Sequence, residues 1–392
     1  MDAVEVFERG SVHLIERAEL ATRLALGRPL RVKFGMDPSA PDLHLGHGVQ
    51  LFKLRALQRA GHQIVLIVGD STAMVGDPSG RNKLRPALAR AEVEANLETY
   101  VEQVARVLDM QRTEVHRNSE WFDPMRFEEV LKLASRMTVA RMIERDTFEQ
   151  RMQAAEPIGI HEFLYPLMQG WDSVMIRSDV ELGGSDQLFN LLVGRDLQQQ
   201  EGQPPQVCLT QPLINGADGR KMSKSFGNAI AFNAGATDMF GGVMRIPDEV
   251  MGDWYTLLTD LPVEERDALL AGHPRAAKAR LAQEICAAFH GAGAARAARE
   301  AFDRQFRDRE LPEHIPERTF AGEWPAEGVP LPVLLRAIEL TASSSDARRV
   351  ITQGGVKIEG EVVRDPKAMV PRPPDGGILV QVGKRRVARV RP

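Results

Sequence analysis

Two short runs in the 392-residue chain combine residue types that can hold a polyphosphate. The first, His44-Leu45-Gly46-His47, follows the turn-rich stretch Asp37-Pro38-Ser39-Ala40-Pro41-Asp42 and opens a helical stripe. Helix N-termini present unpaired N–H groups and the positive end of the helix dipole, so anions settle there. Two imidazoles three residues apart add donors aimed at the same phosphates, and Gly46, lacking a Cβ, lets a nucleotide approach the backbone. The second run, Lys221-Met222-Ser223-Lys224-Ser225, is surrounded by Gly216, Gly219 and Gly227. Lysine is a flexible point charge, and Gly-rich flanks let the pair follow charge as it develops on phosphate oxygens. Taken singly, the first run also reads as two exposed histidines capping a surface helix, and the second as a solvated basic loop.

The elements that must position these runs follow from periodicity. Residues 30–35 read as a short strand. Leu45, Val49, Phe52 and Ala56 recur at spacings of three and four, which predicts a helix up to Ala60 with Gly61 as its stop. Ile64–Val68 is a continuous apolar run, the mark of a strand covered on both faces in a parallel sheet. Strand, helix and strand in about 40 residues make one unit of a doubly wound fold. Helices dominate residues 86–155, interrupted by a strand near 113–117. A helix near 162–174, a strand near 180–182, a helix near 187–199 and a strand near 207–213 follow. The pattern from 237 to 307 is helical, and residues 311–330 read as a Pro-rich linker. Two short helices, 331–340 and 345–353, precede a hairpin at 354–363. The expected fold is α/β: a Rossmann-type doubly wound parallel sheet in 1–230 with a helical insertion at about 95–155. An α-helical domain (231–310), a linker (311–330) and a small α+β module (331–392) complete it.

Charge separates these parts. The whole chain has 50 Lys and Arg against 54 Asp and Glu, a formal −4. Residues 331–392 hold 12 basic against 6 acidic residues, a net +6, which leaves −10 for the rest. A basic tail on an acidic body points towards nucleic acid. Cys208 and Cys286 are the only cysteines, so neither a disulfide framework nor a Cys-based zinc site is expected, and a reducing compartment suits the pattern. The start of the chain lacks the basic and apolar stretches of a signal peptide, and no apolar run is long enough to span a membrane. A cytoplasmic protein is expected.

Together, in this order, the two runs resemble the paired signature of class I aminoacyl-tRNA synthetases. Lys221–Ser225 matches the second motif at every position, and His44–His47 departs from the commonest first motif only by Leu45 for Ile. Asp37–Leu43, Gly76–Gly80, Tyr165–Asp172 and Gly183–Gln187 resemble the bacterial tyrosyl branch. The likeness runs from about residue 30 to the C-terminus, where the tail resembles an S-four-like RNA-binding module. The resemblance implies activation of L-tyrosine by ATP to tyrosyl-adenylate and pyrophosphate, then transfer to the 3′ end of tRNA(Tyr). It also implies a homodimer formed through the helical insertion. ATP would enter as substrate with Mg²⁺; no zinc and no organic prosthetic group are expected.

The roles implied by the resemblance are specific. His44, His47, Lys221 and Lys224, with Ser39, act on the phosphates. Gly46, Asp186, Gln187, Lys224 and Ser225 hold ATP, with Asp186 and Gln187 reaching the ribose and the substrate carboxylate region. Asp77, Tyr165 and Gln169 hold the tyrosine ammonium, Asp172 accepts its phenol hydrogen, and Asn118 lies at the rim of the pocket. The spacing i, i+4, i+7 puts Tyr165, Gln169 and Asp172 on one helix face. Lys33 stands where a branch of the family carries a phenol-binding Tyr; a lysine can donate to a phenol oxygen, and the second phenol contact stays unassigned. Arg348, Arg349, Lys357, Lys384, Arg385 and Arg386 would meet tRNA phosphates. A tryptophan–tRNA ligase is the rival nearest in fold, opposed by the basic module and Asp172. An adenylyltransferase would share the first run but not the second or the tail. A non-catalytic RNA-binding protein would keep the tail but has no use for both nucleotide motifs.

Overall fold

The computed structural model describes residues 3–38, 41–78, 89–223, 226–307, 315–320, 322, 324–383 and 386–392. The chain divides into two compact units, Met1–Arg296 and Ala297–Pro392.

The first unit is built on a six-stranded sheet. Its strands are β1 (His13–Ile15), β2 (Arg31–Met36), β3 (Gln63–Val68), β4 (Thr113–Arg117), β5 (Val180–Gly184) and β6 (Val207–Gln211), in the order β1-β6-β5-β2-β3-β4. β2 through β6 run parallel, while β1 lies antiparallel on β6, with His13 opposite Thr210. The sheet is therefore the doubly wound parallel sheet expected, with one antiparallel strand added at its edge. β1 is three half-buried residues at an edge, too short to show a periodicity, and antiparallel edge strands are common on otherwise parallel sheets. β5 and β6 are buried throughout, as is β3 from Ile64 on, which is what continuous apolar runs require.

β2 pairs with β3 on one side and β5 on the other, so the chain reverses its winding direction across β2. In open α/β sheets ligands bind at such a switch, beyond the carboxyl ends of the strands. The segments leaving β2, β3, β4 and β5 all emerge there. The helix Leu45–Arg59 follows β2 and gives way at Gly61, whose φ of +93° only glycine adopts freely. The helices Leu164–Ile176 and Leu188–Gln200 bury Leu167, Val174, Val193 and Leu197 together with Leu133, Met142 and Phe148 of the insertion. Beyond residue 235 lie the helices Ala236–Val243, Met251–Leu258 and Val263–Leu270, then Pro274–Arg307, broken at Gly291.

In the second unit the helices Leu331–Ala337 and Ser344–Thr352 pack through Leu334, Leu335 and Ile351 on Val380, Val382 and Val390 of a five-stranded sheet. Its strands are β7 (Glu317–Thr319), β9 (Val356–Ile358), β10 (Glu361–Val363), β12 (Ile378–Val382) and β13 (Arg386–Arg391), in the order β10-β9-β12-β13-β7. β8 (Val329–Pro330) and β11 (Met369–Val370) form a separate pair. Residues 311–330, read as a linker on composition, thus supply two strands. β7 is an edge strand parallel to β13, held by ladder bonds that proline content does not reveal. β13, which carries Arg386, Arg389 and Arg391, is likewise a paired strand, with Val387, Ala388 and Val390 buried between them.

Candidate active site

The histidine run caps its helix with its own side chains. His44 sits at the N-cap in extended conformation, and its Nδ1 accepts from the Gly46 N–H at 3.1 Å. The His44 N–H donates to His47 Nδ1 at 3.2 Å, and the two ring centroids lie 4.1 Å apart with the planes tilted by 40°. With both Nδ1 atoms accepting, each neutral ring carries its proton on Nε2. A Cβ on Gly46 would lie 2.8 Å from the His44 ring, so glycine here is a requirement of the cap as well as of ligand approach. The chain beyond the lysine run returns beneath this cap: Leu45 N–H donates to the Ile230 carbonyl and Phe232 N–H to that of Leu43, both at 3.0 Å.

The lysine run starts on a small hairpin. Asn215 bridges Lys221, and Gly216 N–H donates to the Arg220 carbonyl. Asn228 staples the loop: its Oδ1 accepts from Ser223 N–H at 2.8 Å, and its Nδ2 donates to Asp218 at 2.6 Å. That bond, with Arg220 beside it, draws the Asp218 carboxyl down to about 2. Met222 is buried, and its Cβ would stand 3.7 Å from a Cβ built on Gly46, so the two runs meet. Lys221 Nζ reaches Asp186 Oδ2 at 3.5 Å, which joins the basic run to the turn after β5. Ser39, Lys224 and Ser225 lie outside the described residues.

On the amino-acid side, Tyr165, Gln169 and Asp172 share a face of the helix Leu164–Ile176. Tyr165 donates its hydroxyl to Asp37 Oδ2 at 2.7 Å, and Asp37 Oδ1 accepts from Thr72 at 2.8 Å. Burial, then the Asp37 charge, raise the Tyr165 phenol well above its ordinary range. Asp172 is 3% exposed; its Oδ1 accepts from the Trp121 indole N–H at 2.9 Å. Burial pushes its carboxyl up to about 7, against the opposing pull of Lys33. Asp77 accepts from Gln187 Nε2 at 2.8 Å and pairs with Arg145 at 3.4 Å. Burial lowers the Arg145 pKa, which Asp77 partly offsets.

One expectation changes, and Lys33, left without a role, acquires partners. Asn118 is wholly buried rather than at the rim: its Oδ1 accepts from Ser71 N–H at 2.9 Å, and its Nδ2 approaches Thr72 and Asp172 at 3.2 and 3.5 Å. It sits behind the pocket, where it braces Asp172, because the turn after β4 folds inward over the helix Asp70–Val75. Lys33 is not offered to a phenol. Its ammonium, at 0% exposure, spends its three hydrogens on the Gln169 carbonyl (2.7 Å), Ser173 Oγ and Glu181 (both 2.9 Å).

Sequence reading passed over Asp37, Trp121, Arg145, Glu181 and Asn190 as site residues. One signal was present: a lone Lys in β2 and a lone Glu in β5, each amid apolar neighbours, which the register places side by side. Asp37, Trp121 and Arg145 meet their partners only through tertiary packing, as Asn190 does with Gln169, although its other partner, Gln187, lies three positions before it.

Among the tail residues, Arg348, Arg349 and Lys357 are exposed. Arg349 pairs with Asp346 at 2.6 Å, and Arg386 spends one guanidinium N–H on the Leu340 carbonyl. Lys384 and Arg385 lie outside the described residues.

The family described as tRNA synthetases class I (W and Y) matches residues 25–307, and the S4 domain matches 329–372. The chain is 47% identical to tyrosine–tRNA ligase 2 of Vibrio vulnificus over 99% of this chain and 98% of that protein. It is 48% identical to the tyrosine–tRNA ligase of Haemophilus influenzae over 98% and 95% of the two. Among solved structures, a C-terminally truncated mitochondrial tyrosyl-tRNA synthetase of Aspergillus nidulans superposes with a TM-score of 0.66 at 25% identity, covering 77% of this chain and 94% of that one. A tyrosyl-tRNA synthetase of Archaeoglobus fulgidus shares the fold, with a TM-score of 0.60 at 21% identity over 76% and 98% of the two chains. With the family match spanning most of the chain and near-half identity from end to end, the chain belongs to the class I tRNA synthetases of the tryptophan and tyrosine group.

Proposed function

We propose that the chain is a tyrosine–tRNA ligase, which joins L-tyrosine to ATP and passes the tyrosyl group to tRNA(Tyr). The observation that carries tyrosine over tryptophan is the 47–48% identity to tyrosine–tRNA ligases along nearly the whole chain. Within the site, the buried Asp172, which already accepts from the Trp121 indole N–H, is an acceptor for the hydroxyl of a bound tyrosine.

In this reading the tyrosine ammonium lies by Asp77, Tyr165 and Gln169. The nucleophile is the substrate's own carboxylate, so no general base is needed. Catalysis is placement together with positive charge at the α-phosphate, where negative charge grows in the transition state. His44 and His47 offer Nε2–H donors from a helix N-terminus, and Lys221 and Lys224 approach from the opposite motif. Gly46, Ser39 and Ser225 would lie against the nucleotide, and Asp186 against its ribose once Lys221 turns to phosphate. Among the described residues no cluster of three His, Cys, Asp or Glu could hold a metal. Mg²⁺ fits as the counter-ion of ATP, held by phosphates and water.

The same reading places tRNA phosphates on Arg348, Arg349, Lys357, Lys384, Arg385 and Arg386. It makes the chain a homodimer through its insertion, where Phe127 and Leu131 of the helix Phe127–Ala134 are 76% and 55% exposed. Apolar side chains gathered in this way mark interaction surfaces. No helix among the described residues is long and apolar enough to cross a membrane, and the cytoplasm is the proposed location. The deciding experiment is ATP–pyrophosphate exchange with each of the twenty amino acids. Exchange with tyrosine alone supports the proposal; exchange driven by tryptophan overturns it.

A further inference from the structure

Five side chains run in an unbroken hydrogen-bonded line across the floor of the site. Glu181 Oε1 accepts from Gln169 Nε2 at 3.1 Å, and Gln169 Oε1 accepts from Asn190 Nδ2 at 2.8 Å. The same Nδ2 donates to Gln187 Oε1 at 2.9 Å, and Gln187 Nε2 donates to Asp77 Oδ2 at 2.8 Å. The line therefore starts and ends on a carboxylate, and each carboxylate has a cation beside it, Lys33 at Glu181 and Arg145 at Asp77.

This arrangement dictates which way every amide faces. An ionised carboxylate only accepts, so each glutamine turns its NH₂ outward to its carboxylate and its oxygen inward. Two inward oxygens need a donor between them. Asn190, at 0% exposure, meets that need with both hydrogens of one NH₂, and its own Oδ1 is buried without a partner among the described residues. Without the asparagine, either glutamine could rotate and present hydrogens where an ammonium needs acceptors.

We propose that Asn190 is a positioning residue for amino-acid binding, holding the amide oxygens of Gln169 and Gln187 as acceptors for the ammonium of the substrate. The inference rests on the reading of Asp77, Tyr165 and Gln169 as the ammonium site, and it moves Gln187, which the family resemblance set by the ribose and the substrate carboxylate, to that site through its bond to Asp77. It assigns Asn190 no contact with ATP, the phenol or the reacting carboxylate. Substitution should therefore damage recognition of the ammonium and spare the rest.

The test compares Asn190→Asp and Asn190→Ala with the unaltered chain, using tyrosine and 3-(4-hydroxyphenyl)propionate, which lacks the amine. Asn190→Asp sets a third acceptor against the two glutamine oxygens and reverses the polarity of the line. It should raise KM for tyrosine in pyrophosphate exchange about tenfold or more, with kcat and the KM for ATP changed less than about threefold. Inhibition by the propionate should stay within about twofold. Asn190→Ala, which adds no charge, should shift the same ratio by less and serves if the aspartate variant does not fold. Unchanged tyrosine KM in a folded variant, or equal weakening of tyrosine and the propionate, would overturn the inference. Asp77→Asn is measured alongside. If it too fails to separate the two ligands, the ammonium site itself is misread; if it separates them and the Asn190 variants do not, only the role of Asn190 fails.

Discussion

Lowering the pH from 8 to 6 should weaken tyrosine binding about tenfold and leave phenylalanine binding almost unchanged. The reason is Asp172, whose carboxyl burial lifts from 3.8 to about 7. The phenol must donate, so its best partner is the ionised carboxylate, and charge-assisted bonds are roughly twice as strong as neutral ones. With a midpoint of about 7, the carboxylate is about nine-tenths ionised at pH 8 and about one-tenth at pH 6. If only that form grips the phenol, the ratio is near ten, or about 1.4 kcal/mol. The assay is equilibrium binding of tyrosine and phenylalanine without ATP, which keeps His44 and His47 out of the comparison. Asp172→Asn should abolish the pH dependence, because its amide oxygen can still accept from Trp121 while its charge no longer changes. A flat tyrosine profile, or a phenylalanine profile falling in parallel, would refute the reasoning. The same shift acts on stability. The folded chain keeps a proton that the unfolded chain releases above pH 3.8, so this contribution is present below that value. It is lost as pH rises to about 7, where tyrosine affinity is gained.

Other outcomes follow from the packing around the site. A Cβ on Gly69 would fall 2.0 Å from Asp37 Oδ1 and 2.3 Å from Thr72 Oγ1. Gly69→Ala should therefore cost about 1–3 kcal/mol in thermal or urea unfolding and raise the tyrosine KM by displacing the partner of Tyr165. Lys33→Met strands Glu181 at 1% side-chain exposure and should cost about 3–5 kcal/mol. Adding Glu181→Leu should restore much of that stability but not tyrosine affinity, since Gln169 keeps Asn190 but loses Lys33 on its carbonyl and Glu181 on its amide; recovery of both would show that the pair is structural alone. Truncation for separating tRNA charging from pyrophosphate exchange belongs before residue 315, because a cut at 330 would strand β7 and β8 without their partners. The chain ending at 307 should keep tyrosine-dependent exchange and lose most charging; equal loss of both would mean the second unit is needed for the chemistry.

Much of the architecture was legible because its signals are local. The stripe of Leu45, Val49, Phe52 and Ala56 with Gly61 beyond it, the apolar run Ile64–Val68, and the face shared by Tyr165, Gln169 and Asp172 are periodicities within one element. Elements of two or three residues carry no such period, and β1, β7 and β8 escaped for that reason. So did the difference between an Asn at a rim and an Asn behind it: Asn118 looks the same in sequence whether the turn that carries it faces outward or inward.

Residue type and near spacing suffice for the runs His44–His47 and Lys221–Ser225, the helix face shared by Tyr165, Gln169 and Asp172, and the basic tail. What those residues are free to do follows from long-range packing. Lys33 and Glu181 are 148 positions apart, and strand register turns them into a buried pair that removes the lysine from substrate binding. Tyr165 finds Asp37 across 128 positions, and Asn190 fixes two amides whose direction no sequence records. Long-range pairing consumes donors and acceptors, and what remains unconsumed is the chemistry left for the substrate.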